Sequence, residues 1–431
     1  MSLQGRTLRM VRAGTPVSVG ERVSDSDAFT IYRASAGDGP LAVSWYPDLP
    51  GTRSLAKLLT WLVDIGSPHP AFTWPIDTVM SEEMPGFGLV MPLPEPGLVS
   101  LGQLLARTEN PSFPVLISIG LQLVSAFEAL HEAAMCYRDI GLGTIMADAD
   151  RGAIALVDID AIAPDHSERY LGSSSPFMAP EVVRGEAPVS WRSDRHSLAV
   201  LLFFLFMHGH PLDGKGTDPD GGDEGEVALR AFGLAPVFVF DPKDDSNRPV
   251  PGDQVLLWWP VYPRFFRAVF ERAFTTGLWD PAAGRVTEEQ WLAALTRLED
   301  CVGTCSCGAS VLRDPEDAAR QCWNCGLTLQ LPEGRQWPDG SRAHRGRLLP
   351  RHSPQHQDAA ALPRGGAARA GRGEPGHRLP VLLRRADPDR PGHPPPARPG
   401  DAGGRRQGGA GRAGRAGPQR PHRRAPEPAG S

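Results

Sequence analysis

Tyr137-Arg138-Asp139-Ile140-Gly141-Leu142-Gly143-Thr144, followed by Ile154-Ala155-Leu156-Val157-Asp158-Ile159-Asp160, is the stretch from which the fold of this 431-residue chain can be read. Asp139 and Asp158 lie 19 residues apart, enough for a loop, a short hairpin and a return to the same cleft. The apolar run 154–157 places Asp158 at the end of a strand, where a metal-holding loop would begin. One carboxylate to orient an attacking hydroxyl and a second to hold Mg²⁺ on phosphates are the two acids that phosphoryl transfer requires.

Further fragments fall in register after this stretch. Ala179-Pro180-Glu181 comes after a 20-residue segment containing Ser173, Ser174 and Ser175, and Arg285 stands near the end of the helical region as a partner for Glu181. Asp194 opens Asp194-Arg195-His196-Ser197-Leu198, the start of an apolar helix that would brace the loop at Arg138 and Asp139. Each fragment alone is weak, and a lone Arg-Asp pair is usually a surface salt bridge. Together they resemble the catalytic half of a protein kinase. The expected fold is α+β and two-lobed, with an N-lobe over 1–92 and a C-lobe over 93–300.

The flanking sequence agrees with that division. Phe29–Tyr32 and Leu41–Tyr46 are β-rich around the turn-forming 35–40, and 54–65 has helical periodicity ending at Gly66-Ser67-Pro68. Strand-like 87–91 precedes a Pro-rich connector at 92–97, and helices are expected at 115–132, 262–274 and 287–298. The longest apolar run, Leu198–Met207, is too short to span a bilayer and reads as a buried helix. The glycine-rich acidic segment 213–226 reads as a solvated loop.

The nucleotide end departs from the pattern. Ser24, Ser26 and Phe29 stand where three glycines would let backbone amides approach phosphates, with Asp25 and Asp27 between them. In Ala42-Val43-Ser44-Trp45-Tyr46, Ser44 takes the place of the phosphate-gripping lysine, and helix 54–65 holds Asp64 as its only acid. Thr144 replaces the asparagine that holds a second metal, Gly141 replaces a common lysine, and Tyr137 replaces the usual histidine. Arg33 and Lys57 are candidates for a substitute cation. Two functions therefore compete: Ser/Thr phosphotransfer from Mg-ATP at a degraded nucleotide site, and a catalytically inactive pseudokinase scaffold that docks a phosphatase or other partner.

Cys305-Ser306-Cys307 and Cys322-Trp323-Asn324-Cys325 are two close pairs joined by 14 residues, each followed by glycine, and suit tetrahedral structural Zn²⁺ in a ribbon over 301–335. Cys301 is an alternative ligand, and four free buried thiols are the bland reading. Cys136 reads as core. Six cysteines in so long a chain, with no signal-peptide pattern in the N-terminal residues, point to a reduced, cytoplasmic setting. Residues 1–339 carry 26 Lys+Arg against 44 Asp+Glu, whereas 340–431 carry 19 Arg against 6 acids. The acidic body disfavours nucleic acid and anionic membrane, and the Arg/Gly/Pro-rich 336–431 is expected to be a disordered basic tail, nonspecific toward nucleic acid at most. The tail's abrupt onset also resembles a shifted reading frame.

With Pro68-His-Pro-Ala-Phe-Thr-Trp-Pro75, Gly86-Phe-Gly-Leu-Val-Met-Pro92, the stretch 237–249 and Trp259-Pro-Val-Tyr-Pro263, the chain resembles bacterial protein kinases associated with TerY-type tellurite-resistance and phosphatase gene clusters. The likeness covers roughly 15–300 and continues into the cysteines. It implies catalytic roles for Asp139 and Arg138, nucleotide and Mg²⁺ contacts at Asp158, Thr144 and Ser44, and structural roles for Glu181, Asp194 and Arg285. It implies as partners a 2C-type protein phosphatase and a von Willebrand A-type protein.

Overall fold

The computed structural model describes residues 2–25, 29–37, 39–49, 52–106, 111–167, 176–217, 224–314, 316–317 and 320–329. Ser26, Asp27, the serines 173–175 and the whole tail from 336 lie outside these residues. The N-terminal part is a six-stranded sheet built from β1 (Thr7–Arg9), β2 (Pro16–Asp25), β3 (Thr30–Ala36), β4 (Gly39–Pro47), β5 (Asp77–Val79) and β6 (Gly86–Pro92), in the order β1-β2-β3-β4-β6-β5. An antiparallel bridge between Met10 and Val79 and the bond from Val11 N to Thr78 O join the first strand to the last. The sheet thereby closes on itself and leaves fewer unpaired edge groups. Asp77, buried, fastens the closure by accepting the backbone amides of Arg12 and Ala13.

Alternation along these strands separates two faces. Val17, Val19, Tyr32, Val43, Trp45 and Val90 pack together on one. Tyr46, Phe87 and Leu89 on the other meet Leu59, Leu62 and Val63 of helix α1 (Thr52–Ile65). Gly88 is required in this sheet, since a Cβ there would lie 2.6 Å from Val79 Cγ2 and 3.0 Å from Val43 Cγ1.

After β7 (Val99–Ser100) and α2 (Leu101–Leu105), the helical part is organised on α3 (Phe113–Glu132). Short strands β8 (Met135–Tyr137), β9 (Ile145–Ala147), β10 (Ile154–Leu156) and β11 (Ile162–Pro164) follow, then α4 (Pro180–Val183) and α5 (Trp191–Met207). Ser190 and Ser193 form a reciprocal cap at the start of α5, and His208 ends it in the left-handed conformation at φ 59°. Leu198 to Met207 is buried on nearly every side, as an apolar helix with no polar face must be. α3 has the length and hydropathy of a membrane span, yet Leu116, Ile119, Leu123 and Phe127 are its buried core positions.

Within the segment read as a solvated loop, α6 (Glu224–Ala228) begins and runs into a π-helical turn over 229–234. That turn packs on α4 through Gly233, where a Cβ would come within 2.7 Å of Val183 Cγ1. α7 (Gln254–Trp258), α8 (Arg264–Ala273), α9 (Thr276–Trp279) and α10 (Glu288–Asp300) complete the helical part around Phe203, Phe238, Phe270 and Trp291. The antiparallel pair β12 (Val302–Thr304) and β13 (Ser310–Leu312) holds Cys305 and Cys307 in the turn between its strands, and a bridge between Gln321 and Thr328 brackets Cys322 and Cys325. Asp314, 2 % exposed, joins this hairpin to the helices by accepting Arg264 N at 2.9 Å and pairing with Arg320.

Candidate active site and cysteine centre

The loop bearing Asp139 is held from three directions. β8 pairs antiparallel with β11, Tyr137 opposite Ile162, which brings residues 158–161 beside the loop. Arg138 ties the two together: its amide and Nε donate to Ala161 O at 3.0 and 3.1 Å, and Nη2 donates to Asp160 O at 2.8 Å. From below, Asp194 Oδ2 accepts the Tyr137 amide at 2.6 Å. A cavity of about 10 Å³ remains between this loop and α4 and α5, bordered by Arg138, Asp139, Phe177, Ser193 and Ser197.

Asp139 and Asp158 are brought to one place, and Asp160 joins them. Burial, then the charges of Asp160 and Asp139, pushes the Asp158 carboxyl up to about 6. Burial and Asp160 also raise Asp139 above the ordinary carboxylate value. Such mutual repulsion is relieved by a divalent cation, and its chemistry suits one. Thr144 is committed within its own turn: Oγ1 accepts Gly141 N at 3.2 Å and donates to Gly141 O at 2.9 Å. Asp160 is the residue here that the sequence reading did not assign a role; its signal was an acid two positions after Asp158.

The phosphate end is apolar. Ser44 is 2 % exposed and lies in register between Ile31 of β3 and Leu89 of β6. α1 presents Leu59, Leu62 and Val63 inward, while Asp64 is exposed and pairs with Arg12 at 3.1 Å. Phe29 rests on Tyr46 with ring centroids 5.4 Å apart, and Tyr46 stacks on Phe87 at 5.1 Å and 12°. Asp25 is occupied by Arg22 at 2.7 Å and by the Thr30 hydroxyl at 2.6 Å. Neither substitute cation stands at Ser44: Arg33 is exposed and bonded to Glu21 at 2.9 Å, and Lys57 lies on the exposed face of α1.

Glu181 and Arg285 meet in a bidentate pair at 2.8 and 2.7 Å, nearly removed from solvent, and Arg285 also donates to Arg192 O at 2.7 Å. Gly284 permits the approach, since a Cβ there would lie 2.7 Å from Thr276 O. The pair links α4 to the turn before α10.

The four cysteines converge, with all ligand atoms within 4.8 Å of one another. Cys305 Sγ lies 3.7 Å from Cys325 Sγ, and Cys307 Sγ lies 3.8 Å from Cys322 Sγ. A regular tetrahedron with Zn–S of about 2.3 Å has edges of about 3.8 Å, so these residues fit the ion. The two halves repeat one backbone plan: Gly308 N donates to Cys305 O and Gly326 N to Cys322 O, both at 2.9 Å, with both glycines at positive φ. Asn324 donates its amide to Cys322 Sγ at 3.4 Å and its side chain to Cys307 Sγ at 3.5 Å, as the surroundings of a thiolate centre would. Cys301 stands outside the group, fully buried in the main core with its thiol pushed up to about 12 by burial, so it is not the replacement ligand. Cys136 is likewise buried core.

The braced loop, the paired acids and the Glu181–Arg285 link belong to a fold like that of protein kinases. Residues 82–231 match the protein kinase domain family. Mouse (Mus musculus) ribosomal protein S6 kinase alpha-4 is 30% identical over 124 residues, covering 28% of this chain and 16% of that protein. Rat (Rattus norvegicus) NUAK family SNF1-like kinase 2 is 35% identical over 97 residues, covering 22% and 15%. The kinase-like part thus spans only a small share of the length of these relatives. Among solved structures, the C. elegans twitchin kinase fragment superposes with a TM-score of 0.51 at 17% identity, over 69% of this chain and 60% of that one. That likeness is one of fold.

Proposed function

We propose that this chain is a protein-kinase-fold signalling protein that acts by docking a protein partner, with a nucleotide site disabled at its phosphate end. The observation that carries this reading is the burial of Ser44, which the resemblance puts at the lysine position, in register with Leu89 and two residues from the Tyr46 of the Phe29–Tyr46–Phe87 stack. Among the described residues neither Arg33 nor Lys57 supplies a cation there, so the α and β phosphates of a nucleotide would meet apolar surface. The cysteine centre, holding Zn²⁺, would tie the segments that carry Cys305, Cys307, Cys322 and Cys325 into one ribbon after the C-lobe of 93–300. By resemblance, the partners are a 2C-type protein phosphatase and a von Willebrand A-type protein of a tellurite-resistance cluster, in the cytoplasm.

A second reading, Ser/Thr phosphotransfer, is favoured by the bracing of Asp139 beside Asp158. Bound Mg²⁺ would neutralise charge on the phosphates. Asp158 would hold the ion, Asp139 would orient the substrate hydroxyl and accept its proton, and Arg138 would keep the two acids in register. Calorimetry of Mg-ATP on the full chain separates the readings. No heat up to millimolar nucleotide is expected, and micromolar affinity would overturn the docking reading. Phosphate transfer abolished by Asp139→Asn would establish the second.

A further inference from the structure

Beneath the Asp139 loop, Asp194 belongs to a buried charge network whose other members, His131, Glu288 and Arg195, have been given no role so far. His131, near the end of α3, places Nε2 3.3 Å from Asp194 Oδ2 and Nδ1 2.9 Å from Glu288 Oε1. Arg195 grips the same Glu288 with Nε at 2.9 and 3.1 Å and Nη2 at 2.7 Å. The side chains of His131, Asp194 and Glu288 are 8, 1 and 7% exposed. The oxygen that takes His131 is the one that accepts the Tyr137 amide, two residues before Asp139. Four elements thus converge: α3, α5, α10 and the loop.

With Asp194 and Glu288 both ionised, the charges balance only when His131 is protonated; burial raises the Asp194 carboxyl, and its bonds to His131 and the Tyr137 amide oppose that. Asp194 and Glu288 are then matched by His131 and Arg195. With a neutral imidazole, the buried cluster holds one uncompensated negative charge. Among the described residues, the other ionisable groups that act on these carboxylates are the Cys136 thiol and a set of acids. Glu128 and Glu132 come from α3, Glu289 from α10, and Asp165 from the turn after β11. Glu288 also occupies the first turn of α10, where the helix dipole favours its anion. Burial alone would lower the His131 value, but bonds to the Asp194 and Glu288 carboxylates outweigh it and raise it to about 9.

We propose that Glu288 and Arg195 are positioning residues for the Asp139 loop, holding His131 as a buried cation that fixes Asp194 under the Tyr137 amide. The last helix of the kinase-like part thereby sets the height of the loop through a bond chain that spans 157 residues of sequence between His131 and Glu288. Because the chain of bonds ends on a backbone amide, it can be read without any assay of catalysis. It holds whichever of the two functional readings is correct.

The test uses the full chain. In ¹⁵N-histidine-labelled protein, the His131 imidazole is expected to be cationic at pH 7 and to titrate near 9. A neutral ring at pH 7 overturns the proposal without any variant being made. Hydrogen exchange of the peptide spanning 135–140 then reads the Tyr137 amide. Glu288→Gln is expected to lower its protection at least tenfold at pH 7, and Glu288→Asp to restore most of it, with the interior of α5 unchanged in both. In the wild type, protection at Tyr137 is expected to fall as His131 deprotonates, while α5 does not follow. Folded Glu288→Gln protein with wild-type protection at 135–140 overturns the proposal. Should that variant not fold, the histidine titration and the pH profile of wild-type exchange decide alone.

Discussion

Position 44 carries a hydroxyl where the nucleotide reading wants an ammonium, and it is buried in the sheet. Ser44→Lys would bury a charge between Ile31 and Leu89 with no acid on the inner face of α1. The expected result is a destabilisation of about 2–4 kcal/mol and no gain of Mg-ATP binding, checked by denaturant titration and calorimetry. Recovery of nucleotide affinity by this one change would show that the site is intact apart from the lysine. The reading of Ser44 as a lysine replacement rests on Ala42-Val43-Ser44-Trp45-Tyr46 alone. The fate of Arg33 was not legible in the sequence, because whether an arginine is available depends on what the neighbouring strand places beside it, here Glu21. His131 also escaped sequence reading, since Glu288 lies 157 residues away. Its raised value gives a signed pH dependence. The stabilisation is fully present below about pH 6.5 and is lost as pH rises through about 9. Chemical denaturation at pH 6.5 and 9.5 is expected to differ by about 2–4 kcal/mol from this group, a difference that His131→Gln removes.

Among elements, the link between α4 and the turn before α10 is the most exposed to a single change. Glu181 and Arg285 are buried, and each neutralises the other. Glu181→Gln leaves the guanidinium without its counter-charge and is expected to cost about 3–5 kcal/mol by denaturant unfolding. Replacing both, as Glu181→Leu with Arg285→Met, is expected to cost less than the single change. A double variant no better than the single one would show that the pair contributes through packing rather than charge. This pairing was readable as a possibility from Ala179-Pro180-Glu181 and a late arginine. The close approach that seats it, at Gly284 against Thr276 O, belongs to the packed chain. The longer helices were read nearly to their ends because their apolar periodicity is local. The π-helical turn at 229–234 lies beyond the 213–226 loop and was given no element from the sequence, since it is held by tertiary contact: Arg184 donates to Gly233 O at 2.8 Å.

For the molecule as a whole, the cysteine hairpin and the helices are not separable in energy. Leu312 and Cys301 belong to the main core, and Asp314 bonds Arg264 and Arg320 across the junction. Removing Zn²⁺ is therefore expected to lower the unfolding temperature of the whole kinase-like part, by about 5–10 °C in a thermal scan with a strong chelator. Elemental analysis is expected to find one zinc per chain. A chain purified with zinc supplied that carries none would remove the metal reading and leave four free thiols.

Sequence alone determined the order of the motifs, the two carboxylates, the absent lysine and the two cysteine pairs. These are statements about residue identity and local spacing, which the chain carries before it folds. The tertiary structure decided which charges find partners. Arg33 goes to Glu21, Arg285 to Glu181, and His131 to Asp194 and Glu288. It also decided that the phosphate end is lined by aromatic and aliphatic groups. Partner choice depends on distance and burial, and both are set by strand register and helix packing between residues far apart in the chain.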